Sequence, residues 1–113
     1  MLTDLISHFL PEGITEYFDI SKIDSTSTEF HIHLSEKNIL PPPHSKADYE
    51  TKDFRPEITI KDFPIRGKEV FLHIKRRRWR EKQTKKVIQR DWNLTAEGTR
   101  FTKEFACFLK GIA

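Results

Sequence analysis

An α+β domain is the fold class that this sequence predicts: a small antiparallel β-sheet or set of hairpins, a short N-terminal helix and a C-terminal amphipathic helix. Three observations predict it. Alternating apolar residues at Phe30 to Leu34, Ile58 to Ile60 and Val70 to Ile74 have the period of half-buried strands. Leu2, Leu5, Ile6, Phe9 and Leu10, and again Phe101, Phe105, Phe108, Leu109 and Ile112, recur at the spacing of one helix face. A chain of 113 residues with nine Phe and two Trp fits one hydrophobic core, so a single domain over 1–113 is expected.

The first helix has Thr3 near its start and Pro11 at its end. After a turn at Glu12-Gly13, the stretch Ile14 to Ile23 has strand character, although Tyr17, Phe18, Ile20 and Ile23 do not alternate cleanly. A turn at Asp24 to Ser27 leads into Phe30-His31-Ile32-His33-Leu34, completing a hairpin. Residues 35–56 read as a long loop, because Pro41-Pro42-Pro43 favours extended backbone and forbids helix or central strand. A third strand spans Glu57 to Phe63, Pro64 stops it, and Ile65 to Lys68 is a turn.

The next strand runs from an apolar pattern into a basic cluster. Val70, Leu72 and Ile74 fall on its core face, and Phe71, His73, Lys75, Arg77 and Trp79 on the opposite one. It is expected to leave the core near Lys75 as a basic hairpin arm, turning at Glu81 to Lys85 and returning along Val87 to Trp92. Residues 93–98 read as a turn, and Thr99 or Thr102 as the cap of the last helix, with Cys107 a small buried hydrophobe beside it.

Charge is distributed unevenly. Residues 66–90 hold eleven Lys or Arg against two acidic side chains, whereas residues 1–65 hold six basic and twelve acidic ones. The chain thus divides into an acidic part, 1–54, and a basic part, 55–113, an asymmetry that points to a polyanionic partner. Lys75, Arg76, Arg77, Arg78, Trp79, Arg80, Lys82, Lys85, Lys86 and Arg90 are the expected DNA contacts. Arginine offers a planar fork for phosphate and guanine edges, and Trp79 a ring for stacking.

Other chemistries lack their parts. The single cysteine, Cys107, excludes an internal disulfide and a cysteine zinc ribbon. His31 and His33 share one strand face, with His73 on another strand and His44 in a loop, a set short of a zinc site; no metal or cofactor is expected, and these histidines read as ordinary solvent-facing residues. There is no Gly-rich phosphate loop, nucleophile elbow or paired Cys and His, so the chain reads as non-catalytic. No leader pattern or apolar span is present, and a cytoplasmic, membrane-free setting is expected.

The run IKDFPIRGKEVFLHIKRRRWR, followed by VIQRDWNLTAEGTRFTKEFACFLK, resembles the N-terminal region of insertion-sequence transposases, nearest the ISAon family, over roughly residues 55–112. Related transposases begin with a zinc ribbon whose cysteines follow the Arg-rich strand. Here Arg80 stands at the cysteine position and no Cys-x-x-Cys exists, so packing must replace the metal. The resemblance implies a DNA-binding N-terminal or accessory module that contacts the terminal repeats of an element through Arg76 to Arg80, beside a catalytic transposase subunit. It gives Arg100-Phe101-Thr102 a structural role between hairpin and helix. The alternatives are a module that docks on that catalytic subunit, or an RNA-binding module using the same rings and cations.

Overall fold

The computed structural model describes residues 14–92. Its elements are α1 (Ile14–Tyr17), β1 (Phe18–Ser25), β2 (Glu29–Glu36), β3 (Tyr49–Phe54), β4 (Ile58–Ile65), β5 (Lys68–Lys75), β6 (Arg77–Glu81) and β7 (Val87–Gln89). The α+β expectation is therefore corrected: the described residues are mostly β, with one helical turn of four residues. Both helices expected from the sequence lie outside the described residues.

Two sheets form, one ordered β1-β2-β5-β4 and the other β3-β6-β7. The larger is mixed rather than antiparallel, because the β1–β2 and β4–β5 hairpins lie side by side and join through a parallel β2–β5 ladder. A parallel pair needs a long connection, and residues 37–67 supply it, carrying β3 and β4 on the way.

Alternation decides which side of the large sheet is buried. Ile32 and Leu34 on β2, Val70, Leu72 and Ile74 on β5, and Ile60 on β4 form the core with Ile14, Phe18 and Trp92. Each such side chain contributes about 1.5–3 kcal/mol of burial. Ile14 and Phe18 are four residues apart and both buried, the spacing that brings them to one side of the helical turn and the strand start that follows it.

The imperfect alternation of Ile14 to Ile23 has a physical cause. A bulge between Ile20 and Lys22 inserts one residue, so Ile20 faces Leu34 and Ile23 faces Ile32, and both reach the core side. Pro64 does not end β4 as expected. It lies where the register to β5 is irregular, on an edge strand, where a missing N–H is tolerated. The following turn places Arg66 and Gly67 at φ 51° and 79°, the left-handed pair of a tight hairpin.

Chain switching between sheets occurs at Arg76. The Arg55 N–H donates to the Arg76 carbonyl at 2.7 Å, and β6 then enters the second sheet between β3 and β7. Trp92, just after β7, returns to the first sheet and stacks on Phe18 at 5.3 Å and 19°. No helix among the described residues is long and apolar enough to cross a membrane.

Candidate nucleic-acid interface

A β6–β7 hairpin forms, with Arg78 opposite Gln89, Trp79 opposite Ile88 and Arg80 opposite Val87, but its return strand ends at Gln89 rather than Trp92, and β6 is the middle strand of a three-stranded sheet rather than part of a projecting arm. Beyond the paired residues the chain turns through Lys82 to Lys85. The Lys85 N–H donates to the Glu81 carbonyl at 2.9 Å and the Glu81 N–H to the Lys86 carbonyl at 2.8 Å, while the Thr84 hydroxyl accepts from the Lys86 N–H. Lys85 closes the turn at φ 64°, a left-handed position that glycine or asparagine occupies more readily.

Most of the expected arginine contacts point inward or sideways. Arg76 is 3% exposed, and its Nη2 donates to the Pro56 carbonyl at 3.2 Å. Burial, with Arg55 beside it, brings its pKa down to about 10, so it remains a cation at neutral pH. The sequence places burial beyond Ile74 out of reach for an arginine; the guanidinium is buried nonetheless, with the Pro56 carbonyl accepting from it.

Trp79 is corrected most sharply. Expected to face outward near bases, it is 1% exposed, and its indole N–H donates to Asn38 Oδ1 at 3.0 Å. The break at Arg76 resets the side-chain alternation, so the face that carries His73 in β5 is not the face that carries Trp79 in β6. Arg90 is likewise buried. Its Nε donates to Glu36 Oε2 at 3.3 Å, its Nη2 donates to the Ile39 carbonyl, and its guanidinium lies 4.7 Å over the Tyr17 ring.

Three half-buried arginines are held by the acidic part of the chain. Arg77 donates from its backbone N–H to Glu36 Oε1 at 2.8 Å and from Nε to the Glu36 carbonyl at 3.2 Å, with its guanidinium 4.6 Å over Phe54. Arg78 grips Asp53 with two prongs, Nε to Oδ1 at 2.7 Å and Nη2 to Oδ2 at 2.6 Å. Arg80 donates to Glu50 Oε2 at 2.7 Å. The residues that sequence reading missed are thus Glu36, Asn38, Glu50 and Asp53. The signal for the last two was the acidic pattern of β3, which reads as loop until set against Arg80 and Arg78 on β6.

The Arg78 clamp, with Lys52 adding to it, holds the Asp53 carboxyl down from 3.8 to about 2. Such a group contributes stability that is complete above its unfolded value and is lost as pH falls through the folded one. Acid should therefore weaken the β3–β6 pairing between pH 3.8 and about 2. Urea midpoints measured across that window should fall less steeply in Asp53→Asn than in the wild type. Equal acid slopes would show that the clamp carries no pH dependence.

What remains solvent-facing is lysine. Lys75, Lys82, Lys85 and Lys86 are exposed, and none forms an ion pair among the described residues. Three of the four sit at the hairpin tip. The Glu50 carboxyl is held low chiefly by its hydrogen bond from Arg80, with smaller pulls from Lys85 and Lys82.

No protein-family model, no curated protein and no solved structure matches the chain.

Proposed function

We propose that the protein is a DNA-binding module that neutralises phosphates with the tip of the β6–β7 hairpin. The observation that carries this reading is the cluster of Lys82, Lys85 and Lys86, exposed and free of carboxylate partners among the described residues, with Lys85 at a left-handed position that glycine or asparagine occupies at less cost. In this reading Arg77, Arg78 and Arg80 stiffen the arm, and the lysines make the contact. A link to transposition is supported by the resemblance of residues 55–112 to insertion-sequence transposases. On that link the module acts in the cytoplasm, without catalysis of its own, on the ends of an element and beside a catalytic subunit.

Binding of this kind depends on salt. The logarithm of the association constant should fall with the logarithm of salt concentration by about 0.9 for each phosphate neutralised on duplex DNA. The triple variant Lys82→Ala, Lys85→Ala, Lys86→Ala should lower that slope by about 2 to 3 while leaving the unfolding midpoint in place. Absence of binding to any duplex at low salt would remove the proposal.

A further inference from the structure

The outer face of the large sheet carries a row of rings that the hairpin does not use. Parallel pairing sets His31 opposite Phe71 and His33 opposite His73 across the β2–β5 seam. Phe71, His31, His73 and His33 stack in that order, with centroids 5.1, 5.0 and 4.6 Å apart. These histidines are half-buried, not the ordinary solvent-facing residues of the sequence reading. Their planes lie 14 to 22° from parallel. Among the described residues no group of three His, Cys, Asp or Glu is placed to hold a metal.

Hydrogen bonding assigns the protons. His31 Nε2 is 2.9 Å from Glu29 Oε1, and a carboxylate oxygen only accepts, so this nitrogen carries the hydrogen. His31 Nδ1 is 2.8 Å from His73 Nε2; in the neutral ring Nδ1 accepts, and His73 Nε2 donates. His73 Nδ1 then accepts from the Thr59 hydroxyl at 3.2 Å. One added proton fits this chain. His31 becomes a donor at both nitrogens, His73 accepts at Nε2, and its hydrogen moves to Nδ1, where Glu57 Oε2 stands 3.6 Å away. Two added protons do not fit, because two N–H groups would then face each other at 2.8 Å.

We propose that His31 and His73 form a proton-sharing pair that holds one added proton in the folded protein and is forced apart by a second, so that acidification loosens the seam between the two hairpins. The pair lies on that seam, since β2–β5 is the ladder that joins them.

Neighbouring charges do not relieve the conflict. From β1, Asp24 is engaged by Lys22 at 3.5 Å and by His33 of β2 at 3.4 Å. From β4 and β5, Lys61 engages Glu69 at 2.9 Å, and Lys75 shares a cleft with His73 and adds positive charge. Glu29 and Glu57 are left as the carboxylates at the two ends of the pair, and neither lies between the facing nitrogens. Burial, with His33 beside it, holds His73 below the ordinary imidazole value of 6.5. An unfolded chain accepts the proton that the folded pair refuses. The stability is therefore complete above pH 6.5 and is lost as pH falls below it.

The test uses imidazole nitrogen-15 spectra and amide protection factors of the wild type between about pH 7.5 and 5. His31 and His73 should carry one added proton, a single imidazolium charge, between them where β2 and β5 remain protected. Protection in these strands should fall as the second proton enters, by up to about tenfold per pH unit. His73→Gln retains a donor at the Nε2 position and takes no proton, so its protection should stay level over the same interval. Two full imidazolium rings with β2 and β5 protection unchanged would overturn the proposal, as would an equal acid loss in His73→Gln. Should that variant not fold, the wild-type spectra alone decide.

Discussion

Replacing Glu36 by alanine is expected to remove about 3–5 kcal/mol of stability, the loss typical when one partner of a buried ion pair is deleted. Glu36 is the last residue of β2 and is 2% exposed. Its carboxylate accepts from the backbone N–H of Arg77, where β6 begins, and from the Arg90 side chain just after β7. One carboxylate therefore fastens the second sheet to the first. Burial pushes its pKa up, and the Arg77 N–H and Arg90 guanidinium oppose that shift. Without it, Arg90 is a buried cation whose charge has lost its carboxylate. Glu36→Gln keeps an acceptor for the Arg77 N–H and should lose less. Urea denaturation measures both, and a loss in Glu36→Ala below about 1 kcal/mol would place the pair with ordinary surface ion pairs.

Trp79→Ala should cost about 3–5 kcal/mol, as expected for truncating a large buried aromatic. Trp79 is, with Trp92, one of the two bulkiest fully buried side chains of the described residues, and it lies on the central strand of the second sheet. Trp79→Phe restores much of the volume but loses the indole hydrogen bond to Asn38 Oδ1, and because Asn38 is exposed and turns to water, that lost bond should cost about 0.5–1.5 kcal/mol. Both variants, studied where they remain folded, should keep the wild-type salt slope for DNA. An outward Trp79 stacking on bases would give the reverse pattern: little change in stability and a large loss of binding.

The sequence carries the faces of the large sheet plainly, since Phe30 to Leu34, Ile58 to Ile60 and Val70 to Ile74 alternate without interruption. It hides what depends on one residue or on distant pairing. A bulge at Ile20/Lys22 disguises β1, and β3 looks like loop because its side chains are chosen to meet arginines rather than a core. The parallel junction of β2 with β5 leaves no local mark at all. At the candidate site, the hairpin and its basic character are legible. The orientation of its side chains is not, because extrapolating the alternation of β5 across Arg76 puts Trp79 outside and the change of sheet buries it, while Arg76 continues the buried face of Val70, Leu72 and Ile74 despite its charge.

The most direct test of the lysine-tip account compares the salt dependence of duplex DNA binding in three proteins: wild type, the Lys82, Lys85 and Lys86 triple alanine variant, and Arg78→Ala. The expected result is a slope lowered by about 2 to 3 in the triple variant with its unfolding midpoint unchanged, and an unaltered slope with a lower midpoint in Arg78→Ala. A triple variant that binds like the wild type, together with an Arg78→Ala variant that does not, would contradict the assignment of contact to the tip and return it to the arginines.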